Sequence, residues 1–230
     1  MKYGNTLATA ILAISMVGAS QAATITAQDF DDGTTGDFEF EADNDLKTRT
    51  LNGLKGLGID QGTDGEIDIG VDNEVKFSRT DGASFGLAST SLAFLYDGPE
   101  FGDVQERAEI TGKFAAGGQS EVIVENVYTN DDDTDFKLSV DGSIDNTLIT
   151  GFKSNRGSPG RVDLGAIFGN QSLDSITYSA INGPNCGDGN CNNNSDYSIA
   201  SITTKAVPEP GTLSILGIGL AGLGFRFARR

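Results

Sequence analysis

Between residues 23 and 205 apolar side chains recur at alternate positions in short runs. The pairs Val75/Phe77 and Val122/Val124 and the trio Phe136/Leu138/Val140 carry this two-residue period, which places one face of a strand in a core and the other in water. Further runs that read as strands are Thr24–Phe30, Ala83–Tyr96, Gln105–Phe114, Thr147–Phe152, Arg161–Phe168, Ser172–Ile181 and Tyr197–Thr204. Asp32-Gly33, Asp81-Gly82, Gly117-Gly118 and Asp141-Gly142 punctuate them, all dipeptides that tolerate positive φ. Helical periodicity is scarce. Roughly ten short strands in one domain of about 185 residues predict an all-β fold, a single β-sandwich of jelly-roll or Greek-key type. No internal repeat suggests a solenoid or propeller.

The two ends break this pattern. At the start, Lys2 precedes an apolar stretch from Leu7 to Val17, and Ser20-Gln21-Ala22 puts small residues where a signal peptidase reads. Residues 1–22 therefore read as a secretory signal cut between Ala22 and Ala23. At the far end, Val207-Pro208-Glu209-Pro210-Gly211 precedes an uncharged run over residues 212–225, followed by Arg226, Arg229 and Arg230. The prolines hold the chain extended. The run can enter a bilayer as a helix, yet its 14 residues reach only about 21 Å against a hydrocarbon core of about 30 Å. Snorkelling arginines and local thinning accommodate that mismatch. Arginines placed after the run predict a cytoplasmic C-terminus and an exported domain. Gly217, Gly219 and Gly222 fit a GxGxxG spacing, but inside an apolar run and after no strand they lack the context of a dinucleotide site.

Pro208-Glu209-Pro210, a short Gly/Leu-rich span and terminal arginines, in that order, resemble the PEP-CTERM sorting signal over residues 207–230. That resemblance implies that Pro208, Glu209 and Pro210 are read by an exosortase, a membrane transpeptidase that releases or transfers the protein. Residues 206–230 would then be a sorting tail and a transient inner-membrane anchor. A permanent single-helix anchor is the alternative. The stretch from Gly56 to Gly112 is also similar to secreted domains found ahead of such tails, a likeness that implies a β-sandwich and no activity.

Charge narrows the partners. The chain has 16 basic and 33 acidic residues. Losing Lys2, Arg226, Arg229 and Arg230 leaves 12 basic against 33 acidic, a net charge of −21 for the processed domain. Such a surface repels nucleic acid and anionic lipid, and favours divalent cations or solubility in a crowded extracellular layer. With no histidine, the usual general base, the commonest zinc ligand and the histidine-based triads are missing. A carboxylate pair is still open to a glycosidase, and 33 acidic residues offer too many pairs to choose one. Cys186 and Cys191 flank Gly187-Asp188-Gly189-Asn190, and outside the cytoplasm they are best read as a disulfide.

Two acidic segments invite a metal. In the first, Asp60, Asp64, Glu66 and Asp68 begin like a calcium loop, but Val71 stands where an EF-hand needs its glutamate. A sandwich-type calcium site on these four oxygen donors is one expectation and an acidic turn leading into a strand is the other. The second segment, residues 130–135, is explained as well by a soluble hairpin tip as by a metal. No other cofactor is implied.

These features favour a non-enzymatic bacterial surface or extracellular-matrix protein. Its processing partners would be signal peptidase and exosortase, and the sorting resemblance adds exopolysaccharide as a partner. The alternatives are a carbohydrate-binding module, with Tyr96, Phe101 and Tyr128 as candidate sugar platforms, and a carboxylate-only glycoside hydrolase or lyase.

Overall fold

The computed structural model describes residues 22–51, 53–60, 67–71, 73–95, 106–128, 134–152, 159–169, 171–181 and 197–205. Residues 1–21 of the signal segment, Cys186, Cys191, Asp64, Glu66, Tyr96, Phe101 and the tail from 206 lie outside them, as does the side chain of Tyr128.

Two antiparallel sheets pack face to face. The first contains β1 (Thr24–Thr26), β3 (Leu46–Leu51), β4 (Leu54–Asp60), β5 (Ile67–Asp68), β7 (Gly86–Ala93), β12 (Ile149–Thr150), β13 (Gly160–Val162) and β15 (Ser198–Lys205). Its order is β12-β13-β7-β15-β4-β3, with β1 beside β15 and β5 beside β4. The second contains β2 (Phe38–Ala42), β6 (Glu74–Arg79), β8 (Arg107–Phe114), β9 (Gln119–Tyr128), β10 (Thr134–Val140), β11 (Ser143–Ile144) and β14 (Leu173–Ile181), in the order β11-β10-β9-β8-β14-β6-β2. The expected all-β sandwich is what forms.

The two-residue period sorts side chains as expected. Val75, Phe77, Val122, Val124 and Leu138 are buried, and Phe136 and Val140 pack against the same core. From the other sheet Leu57, Ile59, Leu87, Leu92 and Ile202 complete it. Phe38 stacks on Phe77 at 4.9 Å between ring centroids, and Phe85 meets both edge-on at 5.5 Å, geometries that suit the ring quadrupoles. Gly33, Gly82, Gly117, Gly118 and Gly142 all take positive φ, and Asp141 joins them at 46°. The turn dipeptides were therefore correctly legible.

Two expected strands are cut short by helices. Thr24–Phe30 is extended only to Thr26, after which α1 (Ala27–Asp31) begins. The Thr26 hydroxyl accepts from the Asp29 amide at 3.2 Å, while the Asp29 carboxylate accepts from the Thr26 amide at 2.7 Å. This reciprocal capping box satisfies two donors and starts a helical turn. Arg161–Phe168 likewise holds β13 and then α2 (Leu164–Phe168), whose cap Asp163 accepts from the Ala166 amide at 3.0 Å. Gly169, at φ 63°, ends α2. Thr147–Phe152 shrinks to the two residues of β12 behind a 3-10 turn over Asn146–Leu148.

Candidate functional site

Strand register gives the sandwich two unlike ends. At one, β4 finishes at Asp60, β7 at Ala93, β9 at Tyr128 and β14 at Ile181, while β6, β8, β10, β13 and β15 begin. The described residues that flank 61–66, 96–105, 129–133, 153–158 and 182–196 all lie towards this end. At the other end β15 finishes at Lys205 and β1 begins at Thr24.

Two of the four calcium candidates, Asp60 and Asp68, stand at the first of these ends. They sit on neighbouring strands of a hairpin, Asp60 opposite Ile67 and Asp68 opposite Ile59. Each already faces a cation from β3. Lys47 pairs with Asp60, and Arg49 reaches Asp68 at 3.0 Å. Asp68 is 1 % exposed, and the Ser198 hydroxyl lies 3.1 Å from both its carboxylate and the Ile67 carbonyl. The Arg49 guanidinium in turn lies 4.6 Å from the centroid of the Phe94 ring, within cation–π range. Phe94 reaches it by adopting φ 66°, a costly conformation for a bulky residue, and its ring passes where Gly56 has no side chain to block it.

This arrangement makes Asp68 a structural anchor for the hairpin, since a buried carboxylate needs a paired cation and a hydrogen bond to stay charged. A calcium ion on the Asp68 oxygen that meets Arg49 would compete with that pair. Asp64 and Glu66 lie outside the described residues, and among the described residues no three acidic or sulfur ligands gather closely enough to hold a metal. Of the second acidic segment, 130–135, residues 134 and 135 open β10, and the pairing of Thr134 with Tyr128 makes β9 and β10 a hairpin.

The outer face of the second sheet carries a further carboxylate group. Glu109 lies between Ile123 on β9 and Ser179 on β14, and the Ser179 hydroxyl approaches it at 3.4 Å. Partial burial, then the charges of Glu121 and Glu74, hold its carboxyl above the ordinary range, as desolvation and like charge require. It lies on an open strand face, with Thr111 and Thr177 on the next cross-strand rung.

At the opposite end, Ala22 is exposed and Ala23 is joined to the last strand. The Ala23 amide donates to the Thr204 hydroxyl at 3.0 Å, and its carbonyl accepts from the Thr204 amide at 2.7 Å. Thr24 then pairs with Thr203, and Ile25, in the core, with Ile202. Three features escape a reading of the sequence: the Arg49–Asp68 pair, the Phe94 clamp, and Asn126, which is fully buried. The carboxylate and its partners come from four distant segments, and no local spacing announces such a meeting.

Comparison with known protein families matches residues 206–230 to the PEP-CTERM protein-sorting motif. No curated protein and no solved structure matched the chain. The motif begins one residue after the described end of β15 and implies export, sorting to the cell surface and processing by an exosortase.

Proposed function

From a β-sandwich that runs directly into a sorting motif, we propose a non-enzymatic protein of the bacterial cell surface or extracellular matrix, one that associates with exopolysaccharide once its tail is processed. The observation that carries this reading is the motif at residues 206–230. Three further points support it. The domain carries a strongly acidic sequence, which favours solubility and cation-bridged contact with polymers over contact with nucleic acid or anionic lipid. The end at which β4, β7, β9 and β14 finish lies opposite the end at which β15 finishes ahead of the motif, so a partner met at that end need not contact the finish of β15. Around Glu109 the outer face of the second sheet offers Thr111, Thr177, Ser179 and Glu121 on adjoining strands, a hydroxyl- and carboxylate-bearing surface suited to many weak hydrogen bonds with a polysaccharide chain.

The test is to recover the protein from the extracellular matrix of its native host, measure its intact mass, and incubate the same fraction with the host polysaccharide. Expected are a chain lacking residues 1–22 and everything beyond the PEP triplet, a gain of two protons on reduction of Cys186 and Cys191, and co-sedimentation with no rise in reducing ends. A full-length mass would establish a permanent tail anchor, and released reducing ends would make the domain a carboxylate-only hydrolase.

A further inference from the structure

We propose that the end of the sandwich formed by the start of β1 and the finish of β15 is the surface against which the membrane-embedded processing enzyme docks. The inference rests on the sorting reading and adds a contact that the motif alone does not supply. The chain is held firmly up to Lys205. Thr204 is buried and bonded to Ala23, Lys205 pairs with Gly86, and the Lys205 ammonium donates to the Gly165 carbonyl at 3.4 Å. Only Ala206 and Val207 then separate the strand from Pro208. Whatever course those two residues take, a chain spans at most about 3.6 Å per residue. Pro208 therefore lies within roughly 11 Å of Lys205.

An enzyme that reads Pro208-Glu209-Pro210 must bring its active site that close to a folded domain, or else strip β15 away. Stripping is the costlier route. β15 has β7 along one side and β4 and β1 on the other, and Ile199 and Ile202 stand in the core. Pulling it out would expose apolar surface and break three strand pairings at once. Docking against the intact end costs none of this. The surface available there includes Ala23 and Thr24 and the exposed Asp81–Ala83 turn leading to β7, which adjoin the strands that flank Lys205.

The experiment uses the full chain in its native host. A small compact domain is inserted after Gly82, in the exposed turn at the proposed face, or after Asn44, in the exposed β2–β3 turn at the opposite end. Each insertion is made with and without a flexible spacer of about 12 residues between Lys205 and Ala206, long enough to reach beyond the inserted domain. The fraction of chains that have lost the tail is read by intact mass. The insertion after Gly82 is expected to slow tail removal at least tenfold, the insertion after Asn44 to leave it unchanged, and the spacer to restore the Gly82 chain. Equal processing of the two insertions overturns the proposal. So does a slowed Gly82 chain that the spacer fails to rescue, since that marks damage to the fold. A parent chain that keeps its tail overturns the sorting reading itself.

Discussion

Two buried tyrosines tie the sheets together. Tyr178, on β14, donates to the Thr90 hydroxyl of β7 at 3.0 Å, and that hydroxyl passes the bond on to the Ser201 carbonyl at 3.1 Å. Tyr197, just before β15, reaches the Ser179 carbonyl at 2.9 Å and the Glu109 carbonyl at 3.3 Å. Burial pushes both phenols up from their ordinary value, so they serve as neutral donors. Tyr197→Phe should cost about 1–2 kcal/mol, and Tyr178→Phe less, roughly 0.5–1 kcal/mol, because Thr90 keeps its bond to Ser201. Urea denaturation of the two variants checks the order. Near the other end, Arg79 grips Asp81 through Nε and Nη2 at 2.9 and 2.6 Å. That bond, then the Ala83 amide, holds the Asp81 carboxyl down at about 2. A depressed carboxyl stabilises above its unfolded value and loses that contribution as pH falls through the folded one. Asp81→Asn should therefore lower the melting temperature at pH 7, and its difference from the parent should shrink towards zero between pH 4 and pH 2. At this scale the sequence offered Asp60 and Asp68 as oxygen donors. It did not offer Lys47, Arg49, Phe94 or Ser198, whose relevance comes from folding alone.

The strand β4 shows what a glycine is for at the scale of an element. In Leu54–Asp60 the glycines at 56 and 58 alternate with Leu57 and Ile59, which face the core. A methyl group on Gly58 would come within 2.7 Å of the Asp68 amide and the Ile67 carbonyl, both backbone atoms of β5. Gly58→Ala should therefore displace β5 and loosen the Arg49–Asp68 pair, at a cost of about 2–4 kcal/mol, larger than an ordinary strand substitution. A thermal melt measures it. The strand period and the Asp-Gly and Gly-Gly turns were readable because both are local. The helices α1 and α2 were misread for a related reason. Ala27, Phe30, Leu164 and Phe168 are apolar and fit a strand as well as one helical turn, and the decision lay in the Thr26/Asp29 and Asp163 caps. β2 and β3 were absent from the expected set, although Phe38-Glu39-Phe40-Glu41 alternates cleanly.

For the molecule as a whole, the central fact is that the first and last of the described strands are neighbours. The Thr24 and Thr203 hydroxyls lie 3.1 Å apart across 179 residues of sequence. Closing so long a loop is entropically costly, and the cost is recovered only when β15 is in place beside β1. Fold class, turns, acidity and the sorting motif were all legible beforehand, since each is written in residues close together along the chain. That β1 lies beside β15, and that Asp68 is held by Arg49, follows from folding alone. Alternation tells a strand which face to bury. Which strand lies beside it depends on the fit of faces and edges contributed by segments far apart.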